Sequence, residues 1–243
     1  GLMSVTGEPD DRPGGCPEKV GVPIVDIMSG MYAAIAVLAA LARRNETGRG
    51  DYIDIGMLDV GVSFLANQAM NYLVSGKPPR RTGNAHPNIQ PQDVFATRDG
   101  HLVLVVGNDG QFAKCCDVLG RPDWATDARF ALNSGRVRNR AALTALIAEV
   151  LRQSDTADWI AKLEAGGVPC GPINNVEQVL ADRHVQSRNM VVTLADADTG
   201  ELKLAGNPIK LSASPDATTR PPVPNLDESG AAIRKSGFKA ITG

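Results

Sequence analysis

The 243-residue chain carries 25 basic and 27 acidic side chains, a net charge of −2 and 43% hydrophobic residues. That balance is ordinary for a soluble globular protein with room for one large domain or two small ones. It offers no general field for nucleic acid, so an anionic ligand needs a local site. Cys16, Cys115, Cys116 and Cys170 show neither CxxC spacing nor a Cys–His pattern. This argues against a disulfide framework or a metal centre, and for reduced thiols in a cytoplasmic compartment. No signal peptide is visible, and the apolar run Met28–Ala42, stopped by Arg43 and Arg44, is too short for a bilayer. No membrane partner is expected.

In chain order, residues 7–19 form a Gly/Pro/Asp-rich loop. Ile24, Ile27, Met28, Met31, Ile35 and Leu38 then recur at helical spacing, apolar on most sides, as in a helix buried within a larger body. Asp51 to Ile55 reads as a short strand and Met57 to Leu73 as a second helix closed by Gly76. A hairpin is expected for residues 93–97 and 101–106, turning at Asp99-Gly100, its second strand LVLVV covered on both faces. A short helix follows to Leu119. The basic cluster Arg136-Val137-Arg138-Asn139-Arg140 reads as a solvated helix start. Leu143, Leu146, Ile147, Val150 and Leu151 mark the next helix, and Trp159, Ile160 and Leu163 another, ended by Gly166-Gly167. Val168 to Pro172 reads as a rigid connector, Val176 to Ala181 as a short helix, and 190–194 and 201–204 as strands around Thr199-Gly200. From Ser212 onward the composition is that of a tail ordered only on contact. The pattern implies an α+β or α/β body with a small mixed domain inserted.

Between the second helix and the hairpin lies GNAHPNIQPQ, Gly83 to Gln92. Its prolines stiffen the backbone, and Pro91 keeps Gln90 out of the helical region. It gathers one of only three histidines with two asparagines and two glutamines. A stiffened loop of this kind either grips a ligand at low entropic cost or satisfies backbone groups nearby. His101 and His184 stand alone. Asp26 is a candidate supporting carboxylate, or simply the acidic first-turn residue that a helix dipole favours. No phosphate loop, HExxH or GxSxG occurs.

The ordered series GVPIVDIMSGMYAAIAVLAAL, TGRGDYIDIGMLD, NYL, GNAHPNIQPQDVF, DGHLVLVVGND, GVPCGPIN and VLAD, over residues 1–222, resembles the class III CoA-transferases. The resemblance implies an α/β fold with a Rossmann-like large domain and a small mixed α+β domain in an interlocked dimer. Residues 1–53 would be a large-domain remnant with its linker helix, 54–152 the small domain, and 153–243 the return to the large domain and tail. The implied substrates are acyl-CoA thioesters and carboxylic acids, with no permanently bound cofactor. The implied chemistry runs through an aspartyl mixed anhydride and an aspartyl-CoA thioester. Both hydrolyse readily, so a lid that excludes water is needed.

The family's glycine-rich lid matches the stretch from Gly83 to Pro91, with Gly83, Asn84, Ala85, Gln90 and Pro91 retained. His86-Pro87-Asn88-Ile89 replace the glycines. The resemblance therefore assigns the substrate loop to Gly83, Asn84, His86, Pro87, Asn88 and Gln90, with a stiff backbone and polar groups suited to the distal carboxylate of a dicarboxylic acid. The family's nucleophilic aspartate precedes a segment like GLMSVTG, where this sequence begins. The expectation is thus a chain with no catalytic residue of its own, a homodimer or the complement of a missing N-terminal half. Two other readings stay open. One is an α-methylacyl-CoA racemase-type isomerase, and the other a non-catalytic subunit completing another chain's active site.

Overall fold

The computed structural model describes residues 1–196, 200–213, 224 and 226–236. They form two compact units, Gly1–Ile173 and Asn174–Gly243. The fold is mixed α/β. In the first unit a 3-10 turn at Leu2–Ser4 precedes α1 (Ile24–Thr47), α2 (Met57–Ser63) and α3 (Ala66–Ser75). Then come β1 (Gln92–Ala96), β2 (His101–Val105), α4 (Asp109–Val118), α5 (Asp123–Thr126), α6 (Asn133–Arg138), α7 (Arg140–Leu151), α8 (Thr156–Ala165) and β3 (Cys170–Pro172). The second unit holds α9 (Val176–Ala181), α10 (Arg183–Ser187), β4 (Val191–Asp196), β5 (Gly200–Ala205) and α11 (Gly230–Ser236).

The first unit's core is built on an antiparallel sheet in the order β1-β2-β3, with Phe95 opposite Leu102 and Asp93 opposite Leu104. Leu102, Leu104 and Val106 are fully buried while Val103 and Val105 are half covered. The strand is therefore shielded on both sides but keeps its alternation. Phe112 of α4, Leu143, Ile147 and Leu151 of α7, and Trp159 and Leu163 of α8 close over it. The spacing of the α7 residues places them on one stripe, as expected. β3 replaces the anticipated rigid connector. Its flanking prolines speak against a central strand but are tolerated at a sheet edge, and Val105 N–H donates to the Pro169 carbonyl at 2.9 Å.

Other expectations fail for local reasons. Asp51 to Ile55 is not a strand: among the described residues no strand pairs with it, Tyr52 is 93% exposed, and both Asp51 carboxylate oxygens accept from Arg43 Nη1 at 2.9 Å. The expected single helix from Met57 to Leu73 breaks at Phe64-Leu65. There the Ser63 hydroxyl donates to the Val60 carbonyl at 2.8 Å and Ala66 takes φ +45°. The tail from Ser212 onward falls largely outside the described residues, but Gly230–Ser236 is helical.

α1 starts with Asp26 in its first turn and ends with Arg44 in its last. Gly48 follows at φ +71°, its N–H donating to the Arg44 carbonyl, a left-handed cap that glycine adopts without a Cβ clash. The helix is 24 residues long and contains an 18-residue window of mean hydropathy 2.0, long and apolar enough by length and composition to cross a membrane. This corrects the sequence-based estimate, which counted only Met28–Ala42 and left out the N-terminal turn Ile24 to Ile27. None of its residues is buried within the chain, and Ile35 and Leu38 are 61% and 66% exposed. The covering body expected for so apolar a helix is not supplied by the described residues.

Candidate functional site

The loop from Gly76 to β1 is fastened at its start to the N-terminal turns. Gly83 takes φ +61° and donates its N–H to the Gly7 carbonyl at 3.1 Å. Arg81, buried, donates Nε to the Glu8 carbonyl at 3.0 Å and pairs with Asp10. Within the loop the Thr82 hydroxyl caps the Ala85 carbonyl at 2.6 Å, and His86 N–H donates to the Gln92 carbonyl at 2.9 Å.

Asn88 and Asn71 of α3 form a reciprocal amide pair, at 3.0 and 2.9 Å. Asn88 N–H donates to His86 Nδ1 at 3.1 Å. Gln90 is fully buried: its Nε2 donates to the Thr144 hydroxyl at 2.8 Å and its Oε1 accepts from Arg140 Nη1 at 3.0 Å. Arg140 Nη2 also donates to the His86 and Pro87 carbonyls, at 2.6 and 3.1 Å. Asn133 bridges Asn88 and Gln90 through both ends of its amide. Much of the loop's polarity is therefore spent on its own scaffold. Asn84, exposed, and His86 Nε2 have no hydrogen-bond partner among the described residues.

Arg136 is the largest departure from the sequence reading, which had placed 136–140 in solvent. Its side chain is fully buried. The guanidinium lies 4.4 Å from the Phe112 ring centre and donates to Gln90, Phe130 and Ala131 carbonyls and to Asp109 Oδ1. A buried arginine is tolerable only with this many acceptors. Arg140 is half-buried with carbonyl and amide acceptors and, among the described residues, no carboxylate within ion-pairing distance.

The loop separates two cavities. One, about 510 Å³, is lined by Gly83, Asn84, Arg81, Asp93 and Arg140; the other, about 640 Å³, by Pro87, Asn88, Asn71, Asn133 and Arg140. Arg140 lines both, and His86 stands in the chain between the residues facing each. Burial, then the Arg140 charge, holds the His86 pKa below its usual value. Burial raises the Asp93 carboxyl, outweighing the Val94 amide and the Arg140 and Arg12 charges. Asp26 is exposed and lines a separate cavity with Leu2, Met3 and Lys19, sharing no wall with the loop. Among the described residues no three metal-binding side chains come together.

Sequence reasoning missed Arg136, Arg140, Asn133, Thr144 and Asp93. One signal was available. Arg140 is the first residue of α7, the end at which the helix dipole disfavours a cation, so a tertiary partner had to compensate.

The family profile described as CoA-transferase family III matches residues 1–230, and the chain belongs to that family. The chain is 43% identical over 233 residues to an Agrobacterium fabrum succinate–glutarate CoA-transferase, covering 96% of this chain and 57% of the relative. It is 38% identical to an Acetobacter aceti acetyl-CoA:oxalate CoA-transferase, covering 97% and 58%. A solved CaiB/BaiF family protein from Brucella suis matches with a TM-score of 0.75 and 45% identity, over 96% of this chain and 59% of that one. The chain thus spans somewhat over half the length of these relatives.

Proposed function

We propose that this chain forms part of an enzyme transferring coenzyme A between carboxylic acids, with Gly83–Gln90 closing over the reacting acyl group. The observation that carries the reading is the loop itself: a proline-stiffened segment fixed by Arg136, Arg140 and Asn133 that keeps Asn84 and the outer face of His86 free. In this reaction a carboxylate attacks the thioester carbonyl and the C–S bond breaks, releasing CoA thiolate. The thiolate then attacks the resulting anhydride, giving an aspartyl-CoA thioester and free acid. The reading takes the attacking aspartate from polypeptide outside these 243 residues. Asp26, Asp54 and Asp59 share no cavity with the loop, and Asp93 holds the Val94 N–H at 2.8 Å on strand β1.

Dicarboxylic acids are the proposed substrates, on the strength of the relatives' named substrates and the polar loop. The Rossmann-like large domain, the interlocked dimer, the boundaries near residues 53 and 152, and a cytoplasmic site of action belong to the same proposal. No resident cofactor is required, because the thioester supplies its own leaving group. The uncovered apolar faces of α1 and α3, including Ile35, Leu38, Leu73 and Val74, favour one variant. In it the chain works packed against further polypeptide, as a subunit or as part of a longer enzyme.

The test mixes the chain with succinyl-CoA and glutarate, with and without a polypeptide supplying the remaining family-length portion, and follows glutaryl-CoA by chromatography. Product only on complementation supports the proposal. Product from the chain alone would remove the external aspartate. Inversion of a 2-methylacyl-CoA without any acceptor would replace transfer by racemisation.

A further inference from the structure

Four of the loop's six candidate residues have their contacts accounted for by the scaffold or the backbone. The remaining chemistry lies with His86 and with what orients it. Three hydrogen bonds at 2.6, 3.1 and 3.0 Å run from one Arg140 guanidinium to His86, Pro87 and Gln90. A planar fork with fixed donor directions sets three points of a five-residue segment at once, which a flexible ammonium cannot do. His86 Nδ1 accepts the Asn88 N–H at 3.1 Å. A ring nitrogen that accepts carries no proton, so in the neutral ring the proton sits on Nε2, the nitrogen without a protein partner.

We propose that Arg140 is the positioning residue of the loop: its grip on His86, Pro87 and Gln90 holds the His86 ring as a neutral Nε2–H donor directed at a substrate oxygen. The oxygen is that of an acyl carbonyl or carboxylate, and the inference rests on the transferase reading of the loop. The charged groups around the ring support it. Arg140 reaches the loop from α7 and acts on the ring directly. Arg136 approaches from α6 but is paired with Asp109. Asp93, on β1, faces Arg140 rather than His86. Arg80 lines the neighbouring cavity with Pro87 and Asn88. A cation beside the ring, with Asp93 near it but no carboxylate in ion-pairing distance among the described residues, opposes a second ring proton, which keeps the histidine a donor that adds no positive charge. A neutral donor stabilises developing negative charge on the acyl oxygen without pairing permanently with a free carboxylate substrate.

The experiment reads the ring first. Long-range proton–nitrogen spectra of the 243-residue chain resolve all three histidines, assigned with His101→Gln and His184→Gln. Wild-type His86 is expected as a single neutral Nε2–H form at pH 7. Arg140→Met should give mixed tautomers and a ring that protonates at higher pH, and Arg140→Lys should restore only part of the order. A wild-type Nδ1–H form, or an Arg140→Met ring identical to wild type, overturns the inference. In the complemented transfer assay Arg140→Met and Arg140→Lys should lower kcat about tenfold to a hundredfold while leaving the KM for acyl-CoA within about twofold. If His86→Ala leaves kcat unchanged while the spectra hold, the active-site reading of the loop fails and the ring assignment survives. If His86→Ala impairs turnover but Arg140→Met does not, the positioning role alone is refuted.

Discussion

Replacing Arg136 by alanine tests whether the loop's anchor is structural to the degree its burial implies. The side chain is fully buried, whereas its ion-pair partner Asp109 is 48% exposed. Removing one partner of a buried pair costs about 3–5 kcal/mol, chiefly through the charge left behind. Here the carboxylate left behind can rehydrate, which moves the expectation to the low end. Against that, Gln90, Phe130 and Ala131 carbonyls lose a charged donor. The stack on Phe112 is lost as well, a contact worth about 1–2 kcal/mol when desolvated. Water entering the vacated volume offsets part of this. The net expectation is about 3 kcal/mol. With a urea slope of about 2 kcal/mol per molar, the midpoint falls by about 1.5 M. The chain's two tryptophans, Trp124 and Trp159, both lie in the cluster above the sheet, so their fluorescence reports this unit. Arg138→Ala, exposed two residues away, should shift the midpoint by no more than about 0.25 M. An Arg136→Ala midpoint within that same margin would refute the argument that the arginine anchors the loop.

Burial pushes the Cys115 and Cys116 thiols up to about 12, so at pH 8 a maleimide should label exposed Cys16 first and reach these two only on unfolding. Mass spectrometry after a short pulse showing Cys115 modified in folded chain would contradict the packing. Gly83→Ala should cost about 1 kcal/mol, because φ is +61° and a Cβ would lie 2.9 Å from Glu8 Oε1. Thermal melts of Gly83→Ala with and without Glu8→Ala separate the two causes, and full recovery in the double variant would deny the backbone its share. Burial raises the folded pKa of Asp93 above its ordinary 3.8. The stability tied to its protonated form is therefore complete below about pH 4 and is lost as pH climbs through the raised value. Asp93→Asn, which keeps an acceptor for Val94 N–H, should gain on wild type between about pH 4 and 7. Parallel urea midpoints across that range would remove the effect.

What could be read in advance followed from periodicity and punctuation. The residues 143–151 stripe, the Asp99-Gly100 hairpin and the glycine end of α3 depend on local spacing and backbone freedom, and each appears where the sequence placed it. The loop's position and stiffness were legible from Pro87 and Pro91. The use of its side chains was not, because Asn88 and Gln90 find partners 17 and 54 residues away, in Asn71 and Thr144. Local composition cannot distinguish an amide that waits for a ligand from one that completes a distant network.

The arginines show the same limit from the other side. Arg136, Arg138 and Arg140 are spaced two apart, and all three had been read as solvated. One is buried on an aromatic ring, one is exposed, and one grips the loop. On a continuous helix the first and last would lie on nearly adjacent faces. The chain instead breaks at Asn139, which ends α6 and opens α7 at φ −104°, ψ 26°, so each arginine takes its direction from a separate helix. That break lets two cations approach one loop from different elements, Arg136 at the Gln90 carbonyl and Arg140 at the Gln90 side chain. Inserting one alanine after Arg140 would rotate Arg140 about 100° around α7 relative to the buried Leu143, Ile147 and Leu151 while leaving Arg136 in place. Deuterium exchange should then rise at the His86 N–H and stay unchanged in α6. Equal protection of the His86 N–H in both proteins would mean that the loop is held without Arg140.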